Sequence, residues 1–148
     1  MDYLFSLYDL ERAAPNHIKE TELLFMSADQ FPTCLQSSGI FCYFELQACH
    51  ARLGRQAMRF LGLPENERVV TEAWTLLGLS ADASEAEIGQ ITRDWVGQGL
   101  EGLLEKLDVI EQQWYQSNEC VDAAITEYVR ENSAELYHTL NSGNYGQI

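Results

Sequence analysis

The side chains that could carry chemistry in this chain are three histidines, four cysteines and a large excess of carboxylates. His17, His50 and His138 stand apart, without an HExxH pattern or a Cys/His grouping, so none has the spacing that a zinc enzyme uses. Cys34, Cys42, Cys49 and Cys120 contain no CxxC pair. Cys42 and Cys49 lie seven apart, as buried small hydrophobes on one helical face do, and all four cysteines read as reduced structural thiols. Cys49 and His50 are neighbours, and consecutive helical positions point in different directions, which makes them a poor nucleophile–base pair. No serine sits in a nucleophile elbow, and Gly97, Gly99 and Gly102 lack the preceding strand of a phosphate-binding loop. The expectation is a protein that is not an enzyme, with no metal and no cofactor.

Charge is the quantity that departs from the ordinary. The formal net charge of the 148 residues is −14. It is also unevenly spread: residues 1–81 hold 10 acids and 6 bases, whereas residues 82–148 hold 13 acids and 3 bases. Such a balance keeps a protein dispersed, and it repels nucleic acid and anionic membrane. It suits a surface built for a basic protein. No run approaches the ~18 apolar residues of a membrane helix, and Met1-Asp2-Tyr3 lacks the basic start of a signal peptide, so a cytoplasmic location is expected.

Helical periodicity organises the rest. A first helix, capped by Asp2, reaches about residue 14 and stops at Pro15. A second starts at His17 or Glu20 and reaches about Leu35, carrying Leu24, Phe25 and Phe31, with Pro32 expected to kink or end it. Gly39 then supplies a positive φ or a close backbone approach, and Ile40, Phe41, Tyr43 and Phe44 open a helix to about 49 or 50 that the others wrap. The pattern continues over 51–61, where Arg52, Arg55 and Arg59 make a basic ridge that pairs with the protein's own carboxylates. Pro64 opens a helix with Val69, Val70, Trp74 and Leu77 inward. After a short linker at 79–83, Ser84 and Glu87 read as a capping box for a helix carrying Ile88 and Trp95. Leu100, Leu103, Leu107, Ile110 and Trp114 line the next helix, and Val121, Ile125, Tyr128 and Val129 the last. The fold class is all-α, one compact domain of about seven to eight helices over 1–140, with 141–148 a frayed tail.

Two stretches resemble a bacterial family of small acidic proteins named for a DNA-mimic member, the DMP-nineteen-like family. Ser38-Gly39-Ile40-Phe41-Cys42-Tyr43-Phe44 is similar to its Asn-Gly-Gly-Phe-x-Gln-Tyr-Phe-like motif, with Ser38 at the asparagine and Cys42 at the glutamine. Leu107-Asp108, Trp114-Tyr115 and Tyr128-Val129-Arg130-Glu131-Asn132 follow its second motif, and the likeness spans about residues 20–136. The resemblance implies an all-α fold and, for at least one member, binding to a DNA-binding protein in place of DNA.

Charge and resemblance lead to the same expectation, an acidic protein-binding module. Its partner would be a basic protein: a DNA-binding protein such as a transcription regulator for a DNA mimic, or a toxin for an immunity or antitoxin protein. The acidic face expected to meet it comprises Glu101, Glu105, Asp108 and Glu111, opposite the apolar stripe and not needed by the fold, together with Glu119 and Asp122. Direct contact with nucleic acid or membrane is not expected. The oligomeric state stays open, a homodimer included.

Overall fold

Nine α-helices and no strand make up residues 2–132, the part of the chain described by a computed structural model. They are α1 (Asp2–Ala13), α2 (Glu20–Ser38), α3 (Ile40–Leu46), α4 (Ala48–Ala51), α5 (Gly54–Phe60), α6 (Pro64–Leu77), α7 (Glu85–Gln98), α8 (Glu101–Tyr115) and α9 (Val121–Glu131). Eight have seven residues or more, as the periodicity predicts, and the ninth, α4, is a single turn. Among the described residues no helix is long and apolar enough to cross a membrane. The side chain of Asp2, His138 and the expected tail lie outside the described residues.

The hub is α2 and not the helix that begins at Gly39. α1, α3, α4, α5 and α9 all pack against α2, which buries Leu24, Phe25, Met26, Ala28, Phe31, Cys34 and Leu35. It also continues through Pro32 to Ser38 rather than ending there. Proline removes one backbone donor, but burial on both sides of it holds the helix together, and the Thr33 hydroxyl bonds back to the Asp29 carbonyl at 3.1 Å.

Instead of one helix to residue 49 or 50, the chain breaks at Gln47, where φ and ψ are −124° and 41°. Tyr43 accounts for the break. Its hydroxyl is completely buried and must find partners, which it does at the Ser27 carbonyl (2.7 Å) and the His50 carbonyl (3.2 Å). Reaching both requires the backbone after α3 to fold back over the ring. Cys42 and Cys49 therefore sit on different helices rather than one shared face. Gly54 belongs to the same packing: a Cβ there would lie 2.7 Å from the Tyr43 hydroxyl oxygen.

Gly39 does both things expected of it. Its φ is +93°, and a Cβ would fall 2.8 Å from a carboxylate oxygen of Glu111. Phe41, Phe44, Trp74, Leu107, Ile110 and Ile125 are buried in one core, with Trp114 and Tyr128 half-buried against it. Phe60 is 41 % exposed and leans its ring on Phe25 and Tyr128. The Ser84 hydroxyl accepts from the Glu87 amide at 3.2 Å, so the cap on α7 forms; Glu87 meets that hydroxyl rather than the Ser84 amide.

Tyr43→Phe should lower stability by about 1–3 kcal/mol, since two buried carbonyls lose their shared donor. Gly54→Ala should cost a similar ~1–3 kcal/mol by overpacking. Because removing the hydroxyl also removes the closest part of the clash, urea denaturation of the double variant should show less than the sum of the two losses. Strict additivity would mean that the hydroxyl does not dictate the glycine.

Candidate functional site

α8 is the element on which the acidic face was expected, and its two sides differ sharply. Leu103, Leu107 and Ile110 are buried, because α8 packs on α6 and α3. The opposite side presents Glu101, Glu105 and Asp108, all exposed, with Leu104 and Val109 open to solvent beside them. Leu104, Glu105, Asp108 and Glu111 form one wall of an open cleft whose other wall is the end of α2.

Two of the six expected residues do different work. Glu111 was assigned to a face that the fold can spare, yet its Oε1 accepts the Ile40 amide at 2.6 Å. It caps α3, whose N-cap Gly39 has no side chain to do so. Glu119 caps α6 in the same way, accepting from the Glu65 amide (3.0 Å), the Asn66 amide (2.8 Å) and Asn66 Nδ2 (2.8 Å). Asn66 is completely buried and its Oδ1 takes the Trp114 indole N–H at 2.7 Å. Carboxylates are favoured at helix N-termini by the backbone dipoles, and here they come from another element of the chain. Asp122, the sixth, lines a separate groove between α1 and α2, with Tyr8 and Asp29. The structure thus keeps Glu101, Glu105 and Asp108 together, puts Glu111 at their edge, and sends Glu119 and Asp122 elsewhere.

The basic ridge is largely used inside the molecule. Arg59 pairs with Glu67 at 2.6 Å, as expected. Arg55 instead stacks 4.1 Å above the Trp74 ring and donates to the Ala81 carbonyl. Among the described residues no acid from 82 onward forms an ion pair, so the α8 carboxylates stand without a cation.

A second polar cluster, absent from the expectations, lies where α1, α2 and α4 meet. His50 is buried at 5 % exposure, its Nδ1 3.3 Å from the Ser27 hydroxyl and its Nε2 3.6 Å from Glu11 Oε1. Cys49 joins them: its Sγ, a His50 ring nitrogen and a Glu11 oxygen all lie within 4.8 Å of one another. The sequence placed Cys49 and His50 on diverging helical directions. The single turn of α4 instead lets both point toward α1. No linear spacing betrays Glu11 as the third member, since it comes from a different helix. Burial pushes the His50 pKa down, against the opposing charges of Glu11, Glu85 and Asp29. Burial also pushes the Cys49 thiol up, helped by Glu85 and Glu11. Neither ring nitrogen of His50 hydrogen-bonds the Cys49 sulfur, so the pair is not arranged as nucleophile and base. Among the described residues these three are the group that could hold a metal ion.

Cys34 is kept inert by the same physics: burial, then neighbouring Cys42, pushes its thiol up to about 12. Comparison with protein-family models, with curated proteins and with solved structures returns no match.

Truncating the two inward-turned carboxylates should separate them from the exposed ones. Glu119→Ala leaves three donors near the start of α6 without their acceptor and should cost about 2 kcal/mol, and Glu111→Ala about 1–2 kcal/mol. Glu105→Ala should stay within about 0.5 kcal/mol of wild type. Thermal melts of the three variants side by side give the comparison, and equal losses in all three would contradict the division.

Proposed function

We propose that this protein is an acidic binding module whose α8 face receives a basic surface of another protein. One observation carries the reading: Glu101, Glu105 and Asp108 are exposed and unpaired beside exposed Leu104 and Val109, on a helix whose other side is filled by core. Like charges three to four residues apart disfavour the helix by a few tenths of a kcal/mol per pair. A purely solvated face gains nothing from two large apolar side chains among them, whereas a protein interface uses both charge and apolar contact. The resemblance to the DMP-nineteen-like family adds a DNA-binding protein, such as a transcription regulator, as the kind of partner. We take the protein to act in the cytoplasm, where its free cysteines stay reduced.

A second reading is favoured by how the acidic helices pack. Matching the charge density of duplex DNA, about one per 1.7 Å of axis, takes two or three parallel acidic ridges, because one helix supplies a carboxylate only every ~5–6 Å. α7 packs chiefly on α3 and α4, α8 on α6 and α3, and α9 on α2, so none of the three has another of them as a main neighbour. A local acidic face of this size suits an immunity or antitoxin protein, which covers one cationic site on a toxin.

The test uses the full chain as bait in parallel with a Glu101→Gln/Glu105→Gln/Asp108→Asn variant, in extract of the native cell. Wild type should retain basic proteins that the variant loses by tenfold or more, while the two melt within about 1 °C of each other. Association rates with a captured protein should fall in the variant and lose their salt dependence, because steering is screened over ~8 Å at physiological salt. Equal capture by both baits at low salt would reduce the face to a solubility device. Neither bait should shift duplex DNA in a gel, since a −14 protein releases no counterions from it.

A further inference from the structure

We propose that Glu11, Cys49 and His50 form a site for one Zn(II) ion, held by a Glu11 carboxylate oxygen, Cys49 Sγ and His50 Nε2, with water at the fourth position. The argument starts at Ser27. Its hydroxyl has one proton, and this is donated to the Leu23 carbonyl at 2.7 Å in the preceding turn of α2. Toward His50 the same oxygen must therefore accept, so the proton of the neutral ring sits on Nδ1. Nε2 then carries the lone pair, and it faces a Glu11 oxygen at 3.6 Å. Two acceptors confront each other across a gap too long for a hydrogen bond, at a side chain that is only 6 % exposed. Buried polar atoms are rarely left so. A cation between them resolves the conflict.

Dimensions and chemistry agree on which cation. Zinc binds imidazole nitrogen and carboxylate oxygen at about 2.0 Å, so in a tetrahedral site these ligands stand about 3.3 Å apart. The observed 3.6 Å needs only a small closure, and the sulfur, within 4.8 Å of a His50 ring nitrogen and a Glu11 oxygen, must close by about an ångström. Thiolate and imidazole together select a borderline-soft ion over calcium or magnesium. The surroundings are negative: Glu85 and Asp29 add their charges to that of Glu11 around His50.

The outer shell is already built. A zinc-binding histidine donates its other ring N–H to an oxygen that fixes the ring, which is what Ser27 does here. Tyr43 in turn grips the carbonyls of both Ser27 and His50. Access remains, since the Glu11 side chain is 33 % exposed and Cys49 is half-buried. Filled, the site would tie α1 to α4, which otherwise meet chiefly through α2.

Titration of the full chain with Co(II) is the direct test. Wild type should develop the ultraviolet thiolate charge-transfer band and the visible bands of a tetrahedral site, saturate at one equivalent, and give up the metal to Zn(II). Cys49→Ser should lose the charge-transfer band, and Glu11→Gln should weaken Co(II) binding by about tenfold or more. Both residues are accessible enough that the variants fold, which circular dichroism checks. Cys42→Ser/Cys120→Ser should keep the band, assigning the sulfur to Cys49. Zn(II) should raise the melting temperature of wild type and leave that of Cys49→Ser unchanged. A band that survives Cys49→Ser, a band lost in the Cys42/Cys120 variant, unaltered affinity in Glu11→Gln, or no binding by wild type would each overturn the assignment.

Discussion

The hydroxyl of Tyr43 is the constraint from which most of this architecture follows. A phenol oxygen with no exposure at all has to donate, and the acceptors within reach are carbonyls of α2 and α4. Satisfying both forces the chain to break after Leu46 and to approach so closely at residue 54 that only glycine leaves room. The ring is then wedged edge-to-face between Phe31 and Phe44, with centroids 5.2 and 5.6 Å away, which locks α3 across α2. With α3 in that orientation, its first amide points at α8 and finds Glu111. The same hydroxyl steadies Ser27 and His50, so the polar cluster at α1 inherits its order from a core contact.

What could be read from the sequence is what helical periodicity encodes. Leu103, Leu107 and Ile110 recur at helical spacing and are buried together; so are Val69, Val70, Ala73 and Leu77. The helix number and the common core came from that pattern alone. Its failures have one cause: periodicity reports which side of a local segment is apolar and nothing about partners far along the chain. Pro32 looks like a stop because the local rule sees only a missing donor, while the packing of α2 among five neighbours outweighs it. Glu111 and Glu119 lie where solvent-facing acids would be expected, and their amide partners are on elements more than fifty residues earlier. Glu11 meets Cys49 and His50 for the same reason, across helices that the linear pattern treats as unrelated.

The net charge therefore divides into two populations that composition cannot separate. Some carboxylates work inside the fold: Glu22, fully buried, accepts the Tyr3 hydroxyl and the Lys19 amide, while Glu111 and Glu119 close helix ends. These act as fixed negative charges opposite backbone dipoles. Glu101, Glu105 and Asp108 have no such duty, and the arginines that could neutralise them are held elsewhere, Arg59 by Glu67 and Arg68 by Glu65 and Glu72. α8 thus carries a face of exposed carboxylates that no ion pair among the described residues neutralises.

The three indoles have a spectroscopic consequence. Trp74 donates to the Ser80 carbonyl, Trp95 to the Leu77 carbonyl and Trp114 to Asn66, so every tryptophan N–H is tied into the half of the molecule built by α6, α7 and α8. None lies on α1, α2 or α4. Intrinsic emission is accordingly a regional gauge: it records the docking of α8 onto α6 and of the Trp95 indole onto the end of α6, and no indole sits at the corner where α1 meets α4. Loosening confined to that corner would leave the emission maximum still while the tyrosine signal changed, so one cuvette can tell whether the two halves melt together or in turn.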